Sequence, residues 1–196
     1  MTGPALDALR HVVDYSGRLQ AVLQQADWAG VVRLTESLRD CWAAKRQVFL
    51  FGNGGSAVNA IHLANDYVYG VSKRHGSGLR AIALPANAAV LTCLANDTGY
   101  DEIFAKQLAV QAQPGDVLIV LSGSGNSPNI LRALEEARAL KMESFAILGF
   151  SGGKARALAD CSIHFPVQDM QIAEDLQLVV GHMAMQWMYA NQPEGV

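Results

Sequence analysis

The sequence is poor in the features that mark several protein classes. It has three cysteines, Cys41, Cys93 and Cys161, and no CxxC pair. Neither a disulfide framework nor a cysteine-built zinc site is expected, and free thiols suit a reducing, cytoplasmic location. Charged residues make up only 17% and the formal net charge is −3. Lys73, Arg74 and Arg80 are the nearest approach to a basic cluster and read as an exposed loop. Nucleic-acid binding, which needs a basic face, is therefore not expected. The first turns carry Asp7, Arg10, His11 and Asp14, unlike a secretory leader. The apolar stretch LQLVVGHMAMQWMYA is too short for a bilayer and holds His182, so no membrane span is expected. No Gly-Lys-Ser/Thr phosphate loop and no GxGxxG fingerprint with an acidic residue closing a second strand occurs, which disfavours nucleotide chemistry. Linkers, low-complexity tracts and internal repeats are absent as well.

What is present is a chain of 196 residues, 51% of them hydrophobic. That is ample for the core of one domain. Apolar residues recur at helical spacing over residues 4–25 (Leu6, Leu9, Val12, Val13, Leu19, Val22, Leu23) and 28–45 (Trp28, Val31, Val32, Leu34, Leu38, Cys41, Trp42), predicting two amphipathic helices. Beyond them, short apolar runs alternate with helical stretches: Val48–Phe51, Leu79–Leu84, Val117–Leu121, Ser144–Leu148 and Ser162–Phe165. Continuous apolar runs fit strands buried on both faces. Their alternation with helices predicts a three-layer αβα sandwich with about five parallel strands, preceded by N-terminal helices. In such sheets ligands sit beyond the carboxyl ends of the strands.

Two strand ends carry unusual loops. Gly52-Asn53-Gly54-Gly55-Ser56 follows the first run and precedes a helix starting near Ala57. Glycines permit sharp turns and close approach, and a helix start offers free N–H groups to an anion. Ser122-Gly123-Ser124-Gly125-Asn126-Ser127-Pro128 follows the third run. Pro128 suits a first helical turn and Ser127 an N-cap. A capped turn leaves Ser122, Ser124 and Asn126 unexplained, whereas hydroxyls around a helix start are what a phosphate monoester needs. This loop is expected to hold a phosphate.

Four side chains offer acid–base or metal chemistry. His62 and Asp66 are spaced i,i+4 and share a helix face. Glu174 and His182 lie on the C-terminal helix, about 80° and 12 Å apart, so only side chains leaning together meet at one ion. Each alone reads as a packed or solvated residue. Together, beside phosphate loops, they read as a metal or acid–base site.

The stretches FGNGGSAVNAIHLAND, CLANDTGYDEIF, LSGSGNSPNI and ILGFSGGKARALAD resemble the sugar isomerase (SIS) domain, and within it are most similar to phosphoheptose isomerases. The resemblance covers nearly the whole chain. It implies a flavodoxin-like SIS fold, a single domain over 1–196 with a helical extension over about 1–45. The implied activity converts sedoheptulose 7-phosphate to D-glycero-D-manno-heptose 7-phosphate. A homotetramer with sites between subunits and a divalent metal, commonly zinc, are also implied. Helical residues Val12, Leu19, Val31, Leu38, Trp42, Met185, Trp187 and Met188 are candidates for the oligomer core or for the chain's own core.

Residue by residue, the resemblance implies that His62 and His182 bind metal or move protons. Asn53, Gly54, Gly55, Ser56, Asn96, Asp97, Ser122, Gly123, Ser124 and Ser127 contact substrate. For Asn96 and Asp97 a simple turn is the competing reading. The chain departs from the relatives where it has Asp66 for a catalytic glutamate, Glu174 for a substrate- and metal-binding glutamine, Gln171 for an aspartate and Ile172 for an arginine. Gly123 stands where threonine is common. Exchanged carboxylate roles reconcile the first two, with Glu174 as base and Asp66 as metal ligand. A different phosphosugar is the alternative. So is a non-catalytic sugar-phosphate-binding SIS protein like the relative that binds a bacterial replication initiator.

Overall fold

A computed structural model describes residues 3–73 and 77–194; Arg74 lies outside them. Strand β1 (Gln47–Gly52) shows how the layers form. Val48 and Leu50 enter one apolar cluster and Phe49 and Phe51 the other, all fully buried. The two-residue alternation of a strand thus serves two faces at once. The same division recurs in β3 (Val117–Ser122), where Ile119 and Leu121 face one cluster and Leu118 and Val120 the other. Strands β2 (Arg80–Ala83), β4 (Glu143–Leu148) and β5 (Cys161–His164) complete a five-stranded sheet of order β2-β1-β3-β4-β5. Every pairing is parallel. β2 is shorter than the apolar run, because Leu84 opens a 3-10 turn with Pro85, which has no N–H to give a ladder. Arg80, expected in a loop, opens that strand.

Helices α1 (Gly3–Gln25), α2 (Ala29–Ala43), α3 (Gly55–Val68) and α8 (Met170–Ala190) carry the residues of the first cluster. The other face is covered by α5 (Ala105–Gln111), α6 (Pro128–Ala139) and the single turn of α7 (Ala155–Leu158); α4 (Ala88–Thr98) lies outside with no buried residue. This is the three-layer sandwich. The order reverses direction between β1 and β3, and register pairs Gly52 with Leu121 there. The loops after these two strands are therefore neighbours at the place where such sheets hold ligands. No described helix is long and apolar enough to cross a membrane.

The N-terminal helices differ from each other. α2 buries Val31, Leu34, Leu38 and Trp42 in this chain's own core, as α8 does Met188. Val31, Leu38, Trp42 and Met188, four of the candidate oligomer positions, are therefore not free for a partner. α1 buries nothing fully: Tyr15, Leu19, Val22 and Leu23 rest against the core, whereas Leu6, Leu9, Val12 and Val13 are 41–62% exposed. Met185 is half-buried and Trp187 exposed.

Candidate active site

The loop after β1 is made by close approach. A β-carbon on Gly52 would lie 2.6 Å from the Leu121 carbonyl oxygen, so only glycine fits between β1 and β3. Gly54 takes a left-handed conformation with φ 55°, and its carbonyl accepts from the Ala57 and Val58 N–H groups. Helix α3 therefore starts at Gly55, two residues before the expected Ala57, and the Gly55 and Ser56 N–H groups at its start have no intrahelical acceptor. The Glu174 carboxylate stands over this start: a β-carbon on Gly55 would lie 2.4 Å from Glu174 Oε1.

Ser56, expected to contact substrate, turns its side chain inward. It is buried, and its hydroxyl oxygen accepts from Gln177 Nε2 at 2.9 Å. Gln177 Oε1 accepts in turn from Asn59 Nδ2 at 3.0 Å, which also donates to the Glu174 carbonyl at 3.0 Å. This chain ties α3 to α8, so the hydroxyl of Ser56 is spent on the helix pair and only its backbone is available to a ligand.

The serine loop divides in the same way. Ser122 is buried and its oxygen accepts from the Gly125 N–H at 3.0 Å, shaping the turn. Gly123 backs onto Met170, where a β-carbon would lie 2.6 Å from the sulfur, so a larger residue there requires the flexible Met170 side chain to move aside. Ser124 is exposed, accepting only from the Asn126 N–H at 3.3 Å. Asn126 Oδ1 accepts from the Lys154 N–H at 3.1 Å, pinning the loop to the one after β4. Ser127 does occupy the N-cap of α6, with Pro128 next, but its side chain caps nothing. The hydroxyls of Ser124 and Ser127 are thus the two that face outward at the helix start.

Asn53 joins the loops. Its amide pairs reciprocally with that of Asn129, each Nδ2 donating to the other's Oδ1 at 2.9 Å, and the Tyr100 hydroxyl donates to Asn53 Oδ1 at 3.1 Å. Asn96 and Asp97 are exposed and lie in the last turn of α4, not in a turn; the chain leaves the helix at Gly99, φ 99°. Asn96 Nδ2 donates to Asp97 Oδ1 at 2.8 Å, and the Cys93 thiol donates to Asp97 at 3.5 Å, which raises that thiol's pKa.

Further along, α3 and α8 run side by side in the same direction, Gly55 meeting Glu174 and Gly70 meeting Met185. Between those ends His62, Asp66 and His182 come together, with one ligand atom of each within 4.8 Å of the others. The two Nε2 atoms are 3.0 Å apart, and Asp66 Oδ2 is 3.5 Å from that of His62 and 3.4 Å from that of His182. Bonds of 2.0–2.1 Å in a tetrahedron separate ligand atoms by about 3.3 Å. The three edges fit a divalent ion such as zinc, with a fourth position open. Glu174 is not in this group, so the structure brings three of the four expected residues together and leaves the fourth over Gly55.

The start of α8 is held from outside. Asp169 caps it, Oδ1 accepting from the Gln171 and Ile172 N–H groups, while Arg18 of α1 pairs with Oδ2 at 2.5 Å. The Arg18 hydrogen bond, then the Ile172 N–H, holds this carboxyl below its ordinary value. Tyr15 donates to Asp175 at 2.5 Å, and burial followed by that bond pushes its phenol up to about 12. Gln171 is exposed, and Ile172 is fully buried in the core. Asn129, Gln177 and Tyr100 were not foreseen as site residues. Asn129 and Tyr100 lie inside the two conspicuous stretches, LSGSGNSPNI and CLANDTGYDEIF; Gln177 carries no local signal.

A parallel sheet with glycine- and serine-rich loops at its reversal point, and a carboxylate and two histidines on the helices beside them, is an arrangement suited to a phosphorylated ligand. Residues 13–149 match the SIS domain family, and the chain belongs to it. It is similar to a phosphoheptose isomerase of Chlorobaculum parvum, 35% identical over 174 residues covering 88% of this chain and 83% of the relative. A phosphoheptose isomerase of Rhodospirillum rubrum is 39% identical over 158 residues, 81% of this chain and 80% of the relative. The structure of a phosphoheptose isomerase from Francisella tularensis superposes with a TM-score of 0.88 at 27% identity, over 97% of this chain and all of that one.

Proposed function

We propose that this chain is an aldose–ketose isomerase that converts sedoheptulose 7-phosphate to D-glycero-D-manno-heptose 7-phosphate, acting as one SIS domain over residues 1–196. The observation that carries the reading is the convergence of the serine loop, the α3 start and Glu174 at the carboxyl ends of β1 and β3, in a chain whose relatives are phosphoheptose isomerases. The phosphate rests on the hydroxyls of Ser124 and Ser127 and on the Asn129 N–H at the start of α6, where Pro128 has no N–H and those of Ile130 and Leu131 are spent on the Ser127 carbonyl. Glu174 takes a proton from C1, giving an enediolate whose O2 charge is steadied by the N–H groups at the α3 start. The same carboxyl returns the proton to C2, and the proton on O1 passes to O2 as the aldehyde forms. Asn96 and Asp97 are assigned to the sugar hydroxyls.

His62, Asp66 and His182 are the proposed ligands of one divalent ion, zinc first, and their part in catalysis is through it. When bound, the ion supplies positive charge to substrate oxygens. In this arrangement the carboxylate roles are exchanged relative to the relatives, Glu174 serving as base and Asp66 as ligand.

A homotetramer is part of the proposal, supported by the exposed apolar side chains of α1 and by Val58, Ile61 and Val68 on α3, the helix that carries His62. A cytoplasmic location is supported by three free cysteines. Asp66 and the buried Ile172 favour one further reading, an isomerase for another phosphosugar.

The test is incubation of metal-free and zinc-reconstituted protein with sedoheptulose 7-phosphate, followed by NMR. Zinc-dependent aldose formation, lost in His182→Ala and Glu174→Ala, is expected. Binding without conversion in both preparations overturns the assignment and turns attention to other phosphosugars.

A further inference from the structure

Asn53 lies in the turn that leaves β1, and Asn129 lies in the first turn of α6, 76 residues away in sequence. Asn129 is 1% exposed, so its amide has no water to fall back on. Asn53 spends its side-chain oxygen on two donors, Asn129 and the Tyr100 hydroxyl. A side chain so engaged is a brace for its loop. One residue after Asn53 comes Gly54, in its left-handed conformation, and two residues before Asn129 comes Ser127, whose hydroxyl is free. The amide pair therefore ties the start of the loop over the reacting carbons to the start of the helix that faces the phosphate.

We propose that the Asn53–Asn129 amide pair, reinforced by Tyr100, is a clasp that sets the spacing of the two loops, with Asn129 and Tyr100 as positioning residues. The inference rests on the phosphosugar reading above and deepens it. A ligand held at both ends feels any change in that spacing, and a shift near 1 Å is enough to cost about a hundredfold. Buried amides that lose a partner do not stay where they were, because an unmade hydrogen bond in the interior is costly.

Asn129→Asp tests this with almost no change of shape. A neutral carboxyl donates its O–H to Asn53 Oδ1 and accepts from Asn53 Nδ2, reproducing both bonds. A carboxylate only accepts, and it turns a negative oxygen toward Asn53 Oδ1. Burial raises the pKa of the new carboxyl, so the variant is competent at low pH and loses the clasp as pH rises through that value. Two quantities are measured relative to the parent at each pH: the Kd for inorganic phosphate by phosphorus NMR, and KM for sedoheptulose 7-phosphate. Both are expected within about threefold of the parent at low pH and at least about tenfold weaker at high pH, with kcat changing less. Thermal melting at each pH identifies the range in which the variant stays folded. The surface variant Tyr100→Phe is expected to weaken both quantities about threefold with no change in melting. A pH-independent ratio near one in folded Asn129→Asp, or unaltered phosphate affinity in Tyr100→Phe, overturns the clasp. If the parent binds phosphate but never isomerises the sugar, the isomerase reading fails while the phosphate measurements still decide the clasp.

Discussion

The fold sets the Glu174 carboxylate over the open N–H groups at the start of α3, with no described cation within ion-pair distance. Glu174→Gln keeps its size and removes its proton-accepting power. Turnover is expected to fall about 10²- to 10⁴-fold with little change in KM, measured on sedoheptulose 7-phosphate. Asp66→Asn tests the other carboxylate by a different readout, zinc content after dialysis, which is expected to fall while the melting temperature of the metal-free protein stays put. Asp169 gives a pH dependence. Its folded-state pKa lies below the ordinary 3.8, chiefly through Arg18. Its stabilising effect is therefore complete above about pH 4 and lost as pH falls through the lower folded value. Asp169→Asn is expected to melt below the parent at pH 7, and the gap should close on acidification. At this scale the sequence is a partial guide. It marks Ser56, Ser122 and Ser127 as hydroxyls near a ligand, but which of them points inward is decided by Gln177 and by the Gly125 N–H.

The α3–α8 pair is the element on which the chemistry stands, and Gly181 sets its spacing. A β-carbon there would lie 2.2 Å from Leu63 Cδ2, so Gly181→Ala must push the helices apart or bend Leu63 aside. Overpacking of this kind costs about 1–3 kcal/mol. Gly181→Ala is expected to lower the melting temperature and also to weaken zinc retention, because His182 is the next residue and moves away from His62. Strands and helices were legible because burial leaves periodic traces: fully apolar runs such as Val48–Phe51, and the i,i+4 series Ile172, Leu176, Val180, Ala184, Met188. The links between elements were not. Asn53–Asn129, Asn59–Gln177 and Tyr15–Asp175 join residues 76, 118 and 160 apart, and such pairs leave no local period to detect.

At the scale of the molecule, α1 adds an exposed apolar face to the exposed Val58, Ile61 and Val68 of α3. Its second half is anchored through Tyr15 and Arg18 to the start of α8, while its first half carries Leu6, Leu9, Val12 and Val13 into the open. Contiguous exposed apolar side chains of this kind mark association surfaces. Light scattering is expected to give about four times the 21.0 kDa chain mass, and Val12→Glu with Val13→Glu is expected to reduce it. Because α1 also holds Asp169 and Asp175, a partner seated on α1 would bear on the start of α8 and so on the site.

The two outer strands of the sheet, β2 and β5, span four residues each, against six for every strand between them. Short rims give a stray peptide few main-chain groups to zip onto. Heated chains should therefore clump through the greasy side of α1 into amorphous precipitate, rather than recruit one another strand by strand into fibrils.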